Sequence, residues 1–180
     1  MPRQPRVTTR TGDDGRTSLW GRARVAKHDA RIAVLGDLDE AQSAMGLARA
    51  LAKPVIATQL LELQREVYEL MVEVATSPER EPAGRVGPAE VAALERRIDG
   101  LKAKAIIPAQ FVVPGDDPAA AAIDLSRTIV RRAERGVAGL LDEGTLKNRD
   151  VLRYLNRLSD GLFVLARIQE GRRKTLAKGR

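Results

Sequence analysis

The segment Arg127-Thr128-Ile129-Val130-Arg131-Arg132-Ala133-Glu134 decides how the rest of the chain is read. At helical spacing Arg127, Arg131 and Glu134 stack on one face, while Arg132 points about a quarter-turn away. Arginines on a surface helix commonly alternate with acids at i,i+4 spacing and serve solubility alone. Two other segments point to a ligand instead. Thr9-Arg10-Thr11-Gly12-Asp13-Asp14-Gly15-Arg16-Thr17-Ser18-Leu19 is a glycine-punctuated, hydroxyl-rich turn, of the kind whose backbone N–H groups wrap phosphates. Tyr154-Leu155-Asn156-Arg157-Leu158-Ser159-Asp160 sets the amide of Asn156 inside an apolar helical stripe. Together the three segments predict a polyphosphate site.

Hydrophobic spacing places this segment in the fourth of five helices. Residues 1–28, interrupted by Gly12, Gly15 and Gly21, lack sustained periodicity and read as an ordered loop with a short extended piece. A first helix runs from about Asp29 to Lys53-Pro54 through Ile32, Leu35, Leu38, Gln42, Met45 and Gly46. A second follows Ile56, Leu60, Leu63, Val67, Leu70 and Val74 and closes at Ser77-Pro78. Residues 78–88 form a polar linker, expected to be the most mobile loop. Val91, Leu94, Ile98 and Leu101 mark a shorter third helix. Residues 106–115 are apolar, but Pro108 and Pro114 exclude a helix and disfavour a central strand, so this stretch is expected to pack along the core as a connection. The fourth helix starts at Asp117-Pro118, with Asp at the cap and Pro in the first turn, and ends between Asp142 and Gly144. The fifth runs from Asn148 to Glu170 through Leu152, Leu155, Leu162 and Leu165. With no credible alternating strands, the reading is all-α: a five-helix bundle in a single domain spanning 1–180. Residues 1–28 would be its phosphate-binding segment, 29–170 the bundle and 171–180 a frayed, basic tail.

Composition removes several kinds of chemistry. The chain of 180 residues has no cysteine and one histidine, which excludes thiolate catalysis, disulfide frameworks and Cys/His zinc sites. His28 reads as a solvated surface residue. Neither a leader nor an apolar run of membrane-spanning length is legible, so the expectation is a cytoplasmic protein without a membrane partner. A net charge of +7 fits either a nucleic-acid surface or a pocket for a small polyanion. Two Phe, two Tyr and one Trp are few stacking platforms for single-stranded nucleic acid, and such a binder has no need of the loop at residues 9–19.

Some polar residues sit inside apolar stripes. Asp39 lies on the Leu35/Leu38/Gln42 side of the first helix; buried there it needs a cation, for which Arg127 or Arg131 is available. At the stripe's edge it would instead pair with a solvated Arg or Lys. Asn156 either meets a ligand or satisfies a buried carbonyl. Gly46 is expected to admit a neighbouring helix.

Residues 9–19 (TRTGDDGRTSL), Lys27 with Gly36-Asp37-Leu38-Asp39-Glu40, 111–115 (FVVPG), 127–135 (RTIVRRAER) and 154–160 (YLNRLSD) resemble, in order and approximate spacing, the PduO-type ATP:cob(I)alamin adenosyltransferases. The resemblance implies a five-helix bundle assembled as a homotrimer, with ATP bound between neighbouring subunits. Thr9, Arg10, Thr11, Gly12, Asp13, Gly15, Thr17 and Ser18 would wrap the triphosphate with Lys27, and Arg131, Glu134 and Asn156 of the adjacent subunit would complete the site. Arg127 would pair with Asp39. Phe111 would lie against the lower face of cobalamin and keep its dimethylbenzimidazole base off the cobalt.

The implied reaction transfers the 5′-deoxyadenosyl group of ATP to cob(I)alamin, giving adenosylcobalamin and triphosphate. Arginines, Lys27 and Mg2+ would stabilise the leaving group, with no general base and with metal ligands left unassigned. A reductase and an adenosylcobalamin-dependent enzyme are the implied partners; a non-catalytic paralogue that binds ATP or cobalamin as sensor or carrier is the alternative. The chain has Asp39-Glu40-Ala41-Gln42 where the family usually reads DELN, Pro114-Gly115-Asp116-Asp117 where it reads PGG or PSGG, and Gly161 where it commonly has tyrosine. Asp116 and Asp117 are thereby expected to bring negative charge to the corrin side, and Gly161 to enlarge a pocket or loosen the last helix.

Overall fold

Each helix begins where a side chain or a proline can close its first turn. In the computed structural model, which describes residues 8–21, 24–77, 80, 86–172 and 174–177, Asp29 accepts from the Arg31 N–H at 2.9 Å and opens α1 (Ala30–Leu51). Pro54 occupies the first turn of α2 (Pro54–Ala75). The Gly87 N–H donates to Glu90 Oε2 at 2.9 Å ahead of α3 (Pro88–Lys102). Asp117 accepts from the Ala120 N–H at 2.8 Å and, with Pro118, starts α4 (Pro118–Asp142). Asn148 accepts from the Asp150 N–H at 3.0 Å and starts α5 (Arg149–Glu170).

α1 packs against α2 and α4, α4 against α5, and α5 against α3. The shared core includes Leu38, Met45, Leu60, Leu70, Leu155, Leu158 and Leu162. The close approach of α1 and α4 occurs at Gly136, where a Cβ would stand 2.5 Å from Val34 Cγ2. Gly46 does not have that role, since a Cβ there would meet only Gln64 Nε2, at 3.4 Å. Gly161 is buried against α3, its notional Cβ 3.3 Å from Ile98 Cγ1, so it seats two helices and enlarges no pocket. No described helix is long and apolar enough to cross a membrane.

Four short strands qualify the all-α reading. β1 (Arg16–Ser18) and β2 (Arg24–Ala26) pair antiparallel, with Arg16 opposite Ala26. This hairpin is moored to the end of α2: the Trp20 N–H donates to the Ala75 carbonyl and the Ser77 N–H to the Trp20 carbonyl, both at 2.9 Å. β3 (Val112–Val113) pairs antiparallel with β4 (Thr175–Leu176). The connection 106–115 therefore does not run along the core; Ile106, Ile107 and Phe111 are exposed. Its backbone groups find partners in the chain's last described residues, with the Ala177 N–H donating to the Phe111 carbonyl at 2.8 Å. Residues 174–177 are thus tied down where a frayed tail was expected. Residues 1–7, 22–23, 78–79, 81–85, 173 and 178–180 lie outside the described residues, and with them most of the expected mobile linker.

Candidate functional site

The first part of the site is the turn at residues 9–15. Arg10 has φ of 62° and Gly15 of 76°, left-handed conformations that curl the chain tightly. Arg24 locks the curl: its Nη2 lies 2.9 Å from both oxygens of Asp14 and 3.0 Å from the Thr11 carbonyl. Gly15 accepts from the Lys27 N–H at 2.9 Å. Gly12 has its own reason for being glycine, because a Cβ there would stand 3.1 Å from Lys27 Cε and Nζ. The lysine thus lies across the turn. Thr9, Arg10, Thr11, Asp13 and Ser18 are exposed and Thr17 is half-buried. The structure brings the predicted loop residues and Lys27 together in one basic, hydroxyl-lined turn.

The second part is a cleft of about 440 Å³ between α4 and α5, lined by Arg131, Glu134, Arg135, Arg153, Asn156 and Arg157, with Ala138 and Leu152. Asn156 Nδ2 donates to Glu134 Oε1 at 2.9 Å, and Arg157 Nη1 donates to Asn156 Oδ1 at 2.7 Å. Asn156 therefore links a carboxylate to a guanidinium instead of capping a buried carbonyl. Arg157 is also paired with Glu95, and Arg153 with Asp150. Arg131 is exposed and forms no ion pair among the described residues; its own carbonyl accepts from Arg135 Nη1 at 2.9 Å. Four arginines face one carboxylate within this cleft, which is the electrostatics of an anion site. Of the predicted residues, Arg131, Glu134 and Asn156 meet here.

Arg127 does not. One turn earlier on α4, it lines a different cleft of about 390 Å³ with Phe111, Phe163, Asp124 and Arg167, under the rim formed by residues 108–110, 112 and 114. Phe111 is 88% exposed, which rules out core packing as its role. Arg127 Nε donates to Asp124 Oδ1 at 3.1 Å, and the buried Arg167 donates from Nη2 to Asp124 Oδ2 at 2.6 Å. The predicted pair of Arg127 with Asp39 is absent within the chain. The buried face of α1 is Arg31, Val34, Leu38, Ala41, Met45 and Ala48, about one position around from the predicted stripe, and Asp39 falls on its exposed side. Arg132, as its angle implied, turns to α1 and pairs with Asp37 and Glu40.

Asp116 and Asp117 are also occupied. Asp116 accepts from the Thr175 N–H and hydroxyl, and Asp117 caps α4 and accepts from Gln169 Nε2 at 3.3 Å. They fix the Phe111 segment and the helix start.

Asp124 and Arg167 were missed in the sequence. A signal existed: Arg167 interrupts Leu162-Phe163-Val164-Leu165-Ala166, and an arginine on that face of α5 demands a buried acid. Tyr154, by contrast, is structural. Its hydroxyl donates to Glu66, which Arg97 grips at 2.6 and 2.7 Å, and burial together with the Glu66 charge holds the phenol above its ordinary range. Arg31 clasps the base of the loop, donating to the carbonyls of Val74, Thr76 and Thr145, with burial lowering its pKa.

A profile of the family described as cobalamin adenosyltransferase matches residues 7–169. The corrinoid adenosyltransferase of Mycobacterium tuberculosis is 39% identical over 91% of this chain and 88% of its own length. That of Citrobacter freundii is 36% identical over 92% and 95%. A phenylalanine-to-alanine variant of a PduO-type ATP:corrinoid adenosyltransferase from Lactobacillus reuteri, complexed with cobalamin and ATP, superposes with a TM-score of 0.87 at 29% identity, covering 97% of this chain and all 100% of that one. An arginine-to-lysine variant complexed with ATP gives 0.81 at 31% identity over 91% and 94%.

Proposed function

The chain belongs to the cobalamin adenosyltransferase family, and we propose that it transfers the 5′-deoxyadenosyl group of ATP to cob(I)alamin, releasing triphosphate. The observation that carries the assignment to sites is the division of α4. Arg131, which pairs with no acid among the described residues, faces an anion cleft, whereas Arg127 and the exposed Phe111 face an aromatic one. ATP is assigned to the first and cobalamin to the second.

The electron pair of cob(I) cobalt attacks the ribose 5′-carbon; the Co–C bond forms as the C–O bond to triphosphate breaks. Arg131 and Lys27 stabilise charge gathering on the leaving group, so positioning and electrostatics supply the rate. Phe111 covers the lower face of the corrin, favouring four-coordinate cob(II)alamin, which is easier to reduce. The electron comes from a reductase. The described residues hold no cluster of three His, Cys, Asp or Glu suited to a metal ion. They do not form a magnesium cage, and Mg2+ would arrive with the triphosphate, held largely by phosphate oxygens and water.

The loop at residues 9–18 and the Arg131 cleft belong to one ATP site formed between copies of a homotrimer. In support, the loop's hydrogen bonds among the described residues stay within residues 9–27 and none reaches α4 or α5. The pairing of Asp39 with Arg127 can then exist only between copies.

Anaerobic incubation with ATP and chemically reduced cobalamin tests the activity: adenosylcobalamin and triphosphate should appear in equal amounts. Binding of both ligands without turnover would identify a non-catalytic carrier. Phe111→Ala should keep ATP affinity, lose the four-coordinate spectrum of cob(II)alamin and slow adenosylation by orders of magnitude. Identical spectra for the two proteins would remove Phe111 from the corrinoid site.

A further inference from the structure

Phe111 is too exposed for packing to fix its ring, so its place at the cleft depends on the backbone beneath it. That backbone belongs to a two-stranded ribbon. β3 runs into α4, whose cap Asp117 accepts from Gln169 of α5. β4 leaves the end of α5, where Glu170 pairs with the buried Arg167 at 3.0 Å, and the chain turns there at Gly171 with φ of 71°. Both strands are thus rooted at the junction of α4 and α5. Phe111 sits at the far end, its carbonyl accepting from the Ala177 N–H at 2.8 Å. Two paired residues per strand are too few to hold a ribbon in water. At the root, however, Gly115 takes φ of 139° and the chain folds Asp116 back onto β4. There its Oδ2 accepts from the Thr175 N–H at 2.5 Å and its Oδ1 from the Thr175 hydroxyl at 3.1 Å.

We propose that Asp116 and Thr175 are positioning residues for Phe111, a clasp that closes the root of the ribbon and so sets where the ring stands at the corrinoid cleft. A carboxylate that accepts twice from one residue is charge-assisted and fixes angle as well as distance. Phe111 lies two residues beyond Val113, the partner of Thr175, so about 7 Å of strand separates clasp and ring. A small tilt at the root reaches the ring enlarged. Other walls of the cleft, Arg127 on α4 and Phe163 on α5, are carried by the bundle. The clasp therefore sets the gap between ring and bundle, which is the space left for the lower face of the ligand. A glycine at position 116, as the family usually has after this turn, has no side chain with which to close the root.

This inference rests on assigning cobalamin to the Phe111 cleft. The test compares wild type, Phe111→Ala, Asp116→Asn, Thr175→Val and the double variant Asp116→Asn/Phe111→Ala. Asp116 and Thr175 are exposed and both replacements are isosteric, so melting temperatures should stay at the wild-type value. In the ligand-free protein, amide exchange at Ala177 should quicken in Asp116→Asn and in Thr175→Val. In excess ATP, the ratio of four- to five-coordinate cob(II)alamin should fall about five-fold in Asp116→Asn, the worth of one hydrogen bond, with the KM for ATP within about two-fold of wild type. Thr175→Val should lower the ratio less. Once Phe111 is Ala, Asp116→Asn should not slow the residual turnover further. Unchanged exchange at Ala177, an unchanged coordination ratio, a parallel rise in the KM for ATP, or added slowing in the double variant would each overturn the proposal. If Phe111→Ala itself keeps the wild-type spectrum, the site assignment falls and this inference with it; if Phe111→Ala loses the four-coordinate form and Asp116→Asn keeps it, the inference falls alone.

Discussion

Arg127 and Arg131 are one turn apart on α4, yet they live in opposite electrostatic circumstances. Arg127 is half-buried and held by a carboxylate that a second, fully buried arginine shares. Arg131 is exposed, pairs with no acid among the described residues and stands in a cleft where arginines outnumber carboxylates. Restraint fixes the Arg127 guanidinium at the edge of the Phe111 cleft. Surplus charge suits a group that must answer negative charge as it develops on a leaving phosphate. The same residue type on one helix face thus stands in two electrostatic settings, made by what lies behind it in one case and by what is missing beside it in the other.

Substitution should separate these circumstances. Arg167→Ala, which strands Asp124 and Glu170 in the interior, should cost about 3–5 kcal/mol of stability by denaturant unfolding. Arg127→Ala leaves Asp124 with its second arginine and should cost only about 1 kcal/mol; equal losses would mean that Asp124 depends on both alike. Arg131→Ala should melt as wild type does while its turnover at saturating corrinoid falls about 100-fold, the usual loss of one donor to developing charge. An unstable Arg131→Ala protein would erase the contrast.

The smallest effect concerns Glu170, whose carboxyl is held above its ordinary range by burial, with Arg167 pulling the other way. Because its folded value is raised, its stabilising contribution is complete below the unfolded value and fades as pH rises through the folded one. Glu170→Gln should therefore flatten the fall in melting temperature above the ordinary carboxylate range. An unchanged slope would place the titrating group elsewhere.

The helices were legible because caps and periodicity agree. Asp29, Asp117-Pro118 and Asn148 mark starts that the structure keeps. The face of α1 was less legible: Ile32 and Leu35 drew the stripe toward themselves, although the buried line runs through Arg31, Val34 and Ala41. An arginine whose head reaches three carbonyls counts as polar in any hydrophobic pattern, and it displaced the reading by one position. That displacement put Asp39 inside and hid Asp124, which lies beyond an alanine run that gives little amphipathic contrast. The pairing of β3 with β4 joins residues more than sixty positions apart, and no local spacing signals so distant a partner. The Arg131, Glu134 and Asn156 cluster was readable because one apolar stripe and one charged face each presented their odd residues at helical spacing.

The central claim is that the glycine-rich loop and the Arg131 cleft are two halves of one ATP site contributed by different copies. Mixing tests it directly. Lys27→Ala carries a damaged loop and an intact cleft, Arg131→Ala the reverse, and each alone should be nearly inactive. Unfolded together and refolded at equal amounts, a head-to-tail trimer should recover about one quarter of wild-type adenosylation, the fraction of interfaces at which an intact loop meets an intact cleft. Activity no greater than the mean of the two variants, in mixed oligomers shown to form, would contradict the account and place the loop and cleft of each site in the same chain.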